Sequence, residues 1–360
     1  MKGLQQLINQ LCPNGVEWKS LGEVCHTITT GRLNANAMVE NGIYPFFTCD
    51  KKVFTINSYA FDCEAILVSG NGSQVGHINY YKGKFNAYQR TYVLTDLIGI
   101  AYPFLLHYFH SYLKDYILAN CKKGAVPYIT LPMLQDFPIP LPPLAIQSRI
   151  VEILDHFTNL TANLTAELAL RSKQFEHFRE KLLSLDGVEG VEMKKLGEIA
   201  ISVSSGKNKS KIDDGEYIVY GSTGEIAKCN NYVYDKTQIL IARVGANAGF
   251  VYLASGKYDV SDNTIIVDVK DDNSLHYIYY LLRHLNLNKY AKGGGQPLIT
   301  AGEIKKIQIP VPPLAVQQII VEQLDKFTAL IQNIENELAL RQKQYEYYRE
   351  KLLSFPSPSL

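Results

Sequence analysis

The chain has 360 residues, 46% hydrophobic and 20% charged, a composition that fits about two folded domains and excludes a disordered chain. Thirty-six Lys and Arg stand against 35 Asp and Glu, a net charge of +1, so a uniformly basic surface is excluded and any nucleic-acid role must rest on local patches. No apolar run reaches the ~20 residues of a membrane span and the opening MKGLQQLINQLCPNGVEW has no signal-peptide core, while the six cysteines (Cys12, Cys25, Cys49, Cys63, Cys121, Cys229) are scattered without a C-x-x-C pair, which predicts free thiols in a reducing cytoplasm and no zinc.

Leu4 to Leu11 reads as the tail of a helix leading into Gly15-Val16-Glu17. About 120 residues follow in which short β-branched runs alternate with glycine turns. Their loops carry basic, amide and small residues: Arg32 after Thr29-Thr30-Gly31, Lys51-Lys52, Asn71-Gly72-Ser73-Gln74, Gln89-Arg90 and Lys122-Lys123-Gly124. An amphipathic helix is expected near Tyr102 to Leu118. Its His107 and His110 read as core or surface histidines, because no ligand set accompanies them.

Ile139 to Ser184 then reads IPLPPLAIQSRIVEILDHFTNLTANLTAELALRSKQFEHFREKLLS, and the segment returns 170 residues later, from Ile309 to Ser354, with 30 of 46 positions identical. A self-match of this length outranks any local motif. Pro142-Pro143 and Pro312-Pro313 suit a first helical turn. Behind them, steps of four and three pick out an apolar seam: Leu154, Phe157, Leu168 and Phe178 in the first copy, Leu324, Phe327, Leu338 and Tyr348 in the second. This is coiled-coil spacing, and each helix spans roughly 55 Å at 1.5 Å per residue. Arg171 and Arg341 interrupt the two seams at the same place, where an arginine either fixes register or meets a partner's carboxylate. Each helix needs a partner for its seam, and the obvious one is its twin.

Between the helices a second region of about 120 residues repeats the turns of the first but not its loop residues. Ser204-Ser205-Gly206-Lys207 pairs with Thr29-Thr30-Gly31-Arg32, and Gln238 to Ile241 with Ala65 to Val68. Its candidate contact residues are Lys207, Lys209, Ser222, Thr223, Arg243, Asn247, Asn263, Lys292, Gly294 and Gln296. A helix is expected over Leu275 to Tyr290, and Thr300-x-x-Glu303 reads as a capping box. The expected division is 1–141, 142–186 (first long helix), 187–311 and 312–360 (second long helix and tail). The fold class is α+β, with two mixed α/β domains related by a pseudo-twofold and separated by an antiparallel coiled coil.

The chain contains no G-x-x-x-x-G-K-[ST] phosphate loop, no Asn/Asp-Pro-Pro-Tyr/Phe tetrapeptide and no dinucleotide fingerprint, so no catalytic or metal-binding residue is assigned. The loops offer a different chemistry. Arg and Lys read guanine edges, Asn and Gln read adenine edges, and lysines beside glycines suit phosphates.

The two I-P-x-P-P-L-A-x-Q segments (Ile139 to Gln147, Ile309 to Gln317), the two E-L-A-L-R segments (Glu167 to Arg171, Glu337 to Arg341) and the paired R-E-K-L-L-S endings resemble the specificity subunit of a type I restriction-modification system, over essentially the whole chain. Ile146 and Val316 depart from the Glu that many members carry before the Gln. The resemblance implies two target recognition domains, each reading half of a split, non-palindromic double-stranded DNA site. It implies recruitment of two methyltransferase subunits and two nuclease-translocase subunits. S-adenosylmethionine, ATP and Mg2+ then belong to those partners, and this chain binds no cofactor. One heptad added to the helices corresponds to roughly 10 Å, about three base pairs of spacer at ~3.4 Å each. Two other readings stay open at this point: a coiled-coil scaffold that never touches DNA, and a self-sufficient enzyme of unfamiliar type.

Overall fold

The computed structural model describes residues 2–120, 127–209, 212, 214–271, 273–293 and 295–355. The chain divides into two compact units, one formed by Met1–Thr165 with Glu337–Leu360 and the other by Ala166–Asn336.

In the first unit the order is α1 (Lys2–Leu11), β1 (Glu17–Ser20), α2 (Leu21–Val24), β2 (Cys25–Thr30), β3 (Tyr44–Phe47), β4 (Phe54–Ile56), β5 (Phe61–Ser69), β6 (Ile78–Ala87), β7 (Thr91–Leu97), α3 (Tyr102–Asn120), α4 (Leu131–Gln135), β8 (Pro138–Leu141) and then α5 (Leu144–Ser184). Six strands form one sheet in the order β2-β7-β5-β6-β3-β4, antiparallel except where β3 runs parallel to β6. Strand β5 shows the period-2 logic. Ile66 and Val68 face a core shared with Phe104, Leu105, Phe109, Ile150 and Leu154, whereas Ala65 and Leu67 face a second core with Phe47 and Phe85. Each such buried Leu, Ile or Phe is worth on the order of 1.5–3 kcal/mol.

The second unit continues with β9 (Glu192–Lys195), α6 (Leu196–Ile199), β10 (Ala200–Ser205), β11 (Tyr217–Gly221), β12 (Gly224–Cys229), β13 (Tyr234–Asp235), β14 (Gln238–Ala242), β15 (Val251–Ala254), β16 (Lys257–Val260), β17 (Thr264–Val269), α7 (Leu275–His284), α8 (Ala301–Lys306), β18 (Gln308–Val311) and α9 (Leu314–Leu353). It repeats the first with one break. The strand corresponding to β6 is split into β15 and β16 at Gly256, which has φ +79°. Two four-stranded sheets result, β10-β17-β14-β15 and β12-β11-β16-β13. The helix expected over Leu275 to Tyr290 ends at His284, and Asn286 turns left-handed (φ +49°) before a short 3-10 turn at Leu287–Tyr290. Thr300 forms the capping box: its Oγ1 accepts from the Glu303 N–H at 3.2 Å, and its own N–H donates to Glu303 Oε2 at 3.0 Å.

The long helices pair antiparallel. In the first unit Phe157 of α5 stacks on Tyr348 of α9, with centroids 5.2 Å apart. In the second, Phe178 of α5 stacks on Phe327 of α9 at 5.0 Å. The second pair is the first with the helices exchanged, since Phe327 repeats Phe157 and Tyr348 repeats Phe178. The seam does not serve the twin helix alone. Leu154 and Leu324 are fully buried in the two domain cores. Leu352 and Leu353 at the end of α9 complete the first core, and Leu183 and Leu185 at the end of α5 complete the second. Leu168 and Leu338 stay half-buried. Arg171 and Arg341 each turn back along their own helix. Arg171 reaches Glu167 at 3.6 Å and Gln174 at 3.0 Å, and Arg341 reaches Glu337 at 2.8 Å and Gln344 at 2.7 Å.

The repeated Gln of the proline segments acquires a reason here. Gln147 is fully buried; its Oε1 accepts the Ala101 N–H at 2.8 Å, and its Nε2 donates to Gly99 O and Pro142 O at 2.9 and 2.7 Å. Gln317 does the same for the Ser274 N–H, Asn273 Oδ1 and Pro312 O. Each glutamine ties the start of a domain helix to the start of a long helix. Ile146, beside Gln147, is also fully buried.

Candidate nucleic-acid interface

In both units the loops that follow the strands are tied by the same backbone hydrogen bonds. The Gly70 N–H donates to Arg90 O at 2.8 Å, and the Arg243 N–H to Asn263 O at 2.9 Å. Ile129 N–H to Gly70 O (2.8 Å) recurs as Ile299 N–H to Arg243 O (2.9 Å), and Gly72 N–H to Pro127 O (3.2 Å) recurs as Gly245 N–H to Pro297 O (2.9 Å). Tyr88 N–H to Phe47 O recurs as Ser261 N–H to Tyr220 O, and Gly31 N–H to Thr91 O recurs as Gly206 N–H to Thr264 O. The glycine before Arg32 and Lys207 is a packing requirement: a Cβ would lie 1.8 Å from Ala87 O at Gly31 and 2.3 Å from Val260 O at Gly206. Backbone polar groups are satisfied inside the frame, which leaves the side chains free to differ. Position by position they do: Gly70 becomes Arg243, Asn71 becomes Val244, Gln74 becomes Asn247 and Arg90 becomes Asn263.

In the first unit the frame gathers Asn71, Gln89 and Arg90 around a cleft of about 210 Å³, with Thr30, Tyr92 and Tyr128. Gln89 Nε2 donates to Asn34 Oδ1 at 2.8 Å, and Tyr92 Oη donates to Ile129 O at 3.1 Å; burial pushes the Tyr92 phenol up. Arg32 is exposed on the adjoining segment, where Leu33 bridges Tyr88. Ser73 and Gln74 occupy the turn from Gly70 to Gly76. Lys52 packs its ammonium over Phe54 at 5.5 Å. Lys51 is exposed and close enough to His77 that its charge adds to burial in holding that imidazole below its ordinary range. Lys122 and Lys123 lie outside the described residues.

In the second unit Arg243, Ser222, Asn263 and Lys207 come together. Ser222 Oγ donates to Asn263 O at 2.7 Å, and Arg243 Nη1 donates to Asp262 O at 3.2 Å while its Nε is buried without a partner. Lys207 follows the Gly206 contact, Thr223 is exposed at the β11–β12 hairpin, and Lys209 is exposed beyond Asn208, whose Nδ2 donates to Asp259 Oδ2 at 2.5 Å. Val244 bridges Leu298, and Lys292 bridges it too, so the arm carrying Lys292 and the exposed Gln296 joins the same frame. Lys292 is not a bare cation: its Nζ meets Glu303 Oε1 at 2.7 Å. With the Thr300 bonds, this holds the Glu303 carboxyl down to about 2. Gly294 lies outside the described residues. Asn247 lines a second hollow of about 260 Å³ with Arg179, Arg283, Asn288 and Phe250.

Sequence reading missed Asn34, Tyr92, Tyr128, Arg283 and Asn288. Of these, Tyr128 had a signal, because it stands in a repeated turn where the second copy has Leu298. Among the described residues no group of His, Cys, Asp or Glu is placed to hold a metal ion, and Cys12, Cys25, Cys49, Cys63 and Cys229 are free. No helix is long and apolar enough to cross a membrane among the described residues.

Two domains that share one loop frame and differ in what it displays, joined by paired helices, define a protein of duplicated recognition modules. Residues 13–170 and 188–340 each match the family model described as the type I restriction modification DNA specificity domain. The chain belongs to the family of type I restriction-modification specificity subunits and is non-catalytic. It is 30% identical to the putative type I restriction enzyme specificity subunit S.HindORF215P of Haemophilus influenzae, over 94% of this chain and 96% of that one. It is 35% identical to the EcoR124I/EcoR124II specificity subunit of Escherichia coli, over 62% and 64%. The crystal structure of the type I restriction-modification S subunit from M. genitalium has the same fold: TM-score 0.70, 18% identity, covering 96% of this chain and 98% of that one.

Proposed function

We propose that this subunit reads a bipartite, non-palindromic DNA sequence, one half-site per domain. In this reading the first domain contacts DNA through Arg32, Asn71, Gln89 and Arg90, and the second through Lys207, Ser222, Arg243 and Asn263. The observation that carries the proposal is the common backbone frame with its exchanged side chains. A frame held by backbone bonds fixes where each side chain stands, and the side chain sets which base edge it matches. Unlike residues in like frames give unlike half-sites.

The repeated helices recruit the partners. Leu170 and Leu340 occupy the same place in the two E-L-A-L-R segments and are 54% and 50% exposed. Apolar side chains at matching exposed positions suit two copies of one partner. Those partners are two methyltransferase and two nuclease-translocase subunits, and S-adenosylmethionine, ATP and Mg2+ are theirs. The complex works in the cytoplasm.

Mapping N6-methyladenine by long-read sequencing, in cells with and without this chain, tests the proposal. The expected result is one split motif with two different halves that disappears with the chain. A single continuous motif, or no change in methylation, refutes it.

A further inference from the structure

We infer that the hollow between Arg179 and Arg283 in the second unit is a clamp for a backbone phosphate of the DNA, an inference that rests on the DNA-reading role proposed above. The hollow holds about 260 Å³ and is lined by Arg179, Arg283, Asn247, Asn286, Asn288 and Phe250. Two guanidiniums and three carboxamides make a donor-rich lining, and a guanidinium presents a planar fork that matches two phosphate oxygens.

The two arginines are held and not fully neutralised. Arg179 Nη2 meets Glu176 Oε2 at 2.6 Å and its plane lies over Phe175, while its Nε is buried without a partner. Arg283 Nη1 donates to Tyr279 Oη at 2.9 Å, and its plane lies over that ring. Among the described residues no carboxylate pairs with Arg283. Both guanidiniums line the hollow, and no carboxylate among the described residues lines it. Asn288 Nδ2 donates to Ala248 O at 3.0 Å, which pins the hollow to the turn from Gly245 to Gly249. That turn is itself bonded to Pro297 in the loop frame, so the hollow is continuous with the loops assigned to base reading.

Arg179 belongs to the repeated helix and not to the variable loops. A contact from it is therefore the same whatever sequence the loops read, as expected of phosphate and not of base. The arrangement belongs to the second domain alone. Counting from Ala101 and Ser274, the residues whose N–H groups donate to the equivalent Gln147 and Gln317, the first domain has His110 where Arg283 stands. Likewise, in the turn after the equivalent strands, His77 stands in place of Phe250.

The test compares the full chain with Arg283→Gln and Arg243→Ala, measuring duplex binding by anisotropy across a salt series. Arg283→Gln should flatten the slope of log K against log salt by about 0.9, the loss of one phosphate contact. It should weaken all sequences equally and leave half-site preference unchanged. A single methylphosphonate linkage that weakens the wild-type chain should have no effect on Arg283→Gln. An unchanged slope in Arg283→Gln, with Arg243→Ala still altering half-site preference, overturns the clamp and leaves the DNA-reading proposal standing. No duplex binding by any of the three chains overturns both. Titration with inorganic phosphate separates the sources: saturable binding that does not compete with duplex identifies a site for a free anion and refutes the clamp. A normal salt slope in Arg283→Gln, with loss of methyltransferase association, identifies an acidic protein patch and refutes it as well.

Discussion

Replacing Arg243 by alanine isolates one side chain of the loop frame. Both frame contacts of this residue are made by its backbone, through its N–H to Asn263 O and its carbonyl from the Ile299 N–H, and alanine keeps them. Gly70 stands at the same point of the first domain, so the frame closes without a side chain there. What is lost is the guanidinium. A bidentate arginine–guanine pair is worth roughly 1–3 kcal/mol of discrimination. Here Nη1 already makes a long bond to Asp262 O at 3.2 Å, which contact with a base must share or give up, so the lower half of the range applies. About 1–2 kcal/mol corresponds to roughly a 5- to 30-fold loss of preference at one base pair. The assay is competition between duplexes carrying single substitutions across both half-sites, with long-read methylation mapping as the cellular readout. Relaxed preference should appear in one half only. An equal loss across both halves, or unchanged preference accompanied by failed assembly, would refute the assignment of Arg243 to base reading.

Three further outcomes follow from the same structure. Gln147→Met keeps the volume of a fully buried side chain and orphans one N–H and two carbonyls, at a cost of about 2–5 kcal/mol. Urea unfolding should show this in a single transition, with Gln317→Met shifting the other, and a shift of both by either variant would contradict two separate units. Leu170→Asp combined with Leu340→Asp should abolish co-purification with the methyltransferase while leaving thermal unfolding within about 1 °C, because neither leucine is in a core. Glu303 has its folded pKa near 2 against 4.5 for the ordinary carboxyl, so its contribution is complete above about pH 4.5 and is lost as pH falls through 2. Its carboxyl carbon shift should titrate near 2, and in Lys292→Ala the midpoint should rise; titration near 4.5 in the parent chain would remove the Lys292 contact.

The long helices were legible because a seam of period 3.5 written twice has few alternative readings. The loop frame was legible in part, because paired glycines such as Gly31 and Gly206 mark places where backbones touch. The occupants of the seam were not legible. Leu154 and Phe157 look alike in the heptad, yet one fills a domain core and the other stacks on the twin helix, and periodicity carries no partner identity. The split of one long strand into β15 and β16 also escaped, since Gly83 and Gly256 are the same residue in the alignment and only the first stays within its strand. Arg283 and Asn288 join their site from far along the chain, and an isolated side chain gives no local signal of where tertiary packing will place it.

The first domain borrows its last hydrophobic layer, Tyr345, Tyr348, Leu352 and Leu353, from the far end of the polypeptide. The corresponding residues at the end of α5 are Phe175, Phe178, Leu182 and Leu183. A fragment stopping near residue 185 would thus lack its own missing layer but carry a copy of it, suited to a sister molecule. Sedimentation of such a fragment should find a symmetric pair and not a monomer, and a DNA target read by that pair would be an inverted repeat of the first half-site.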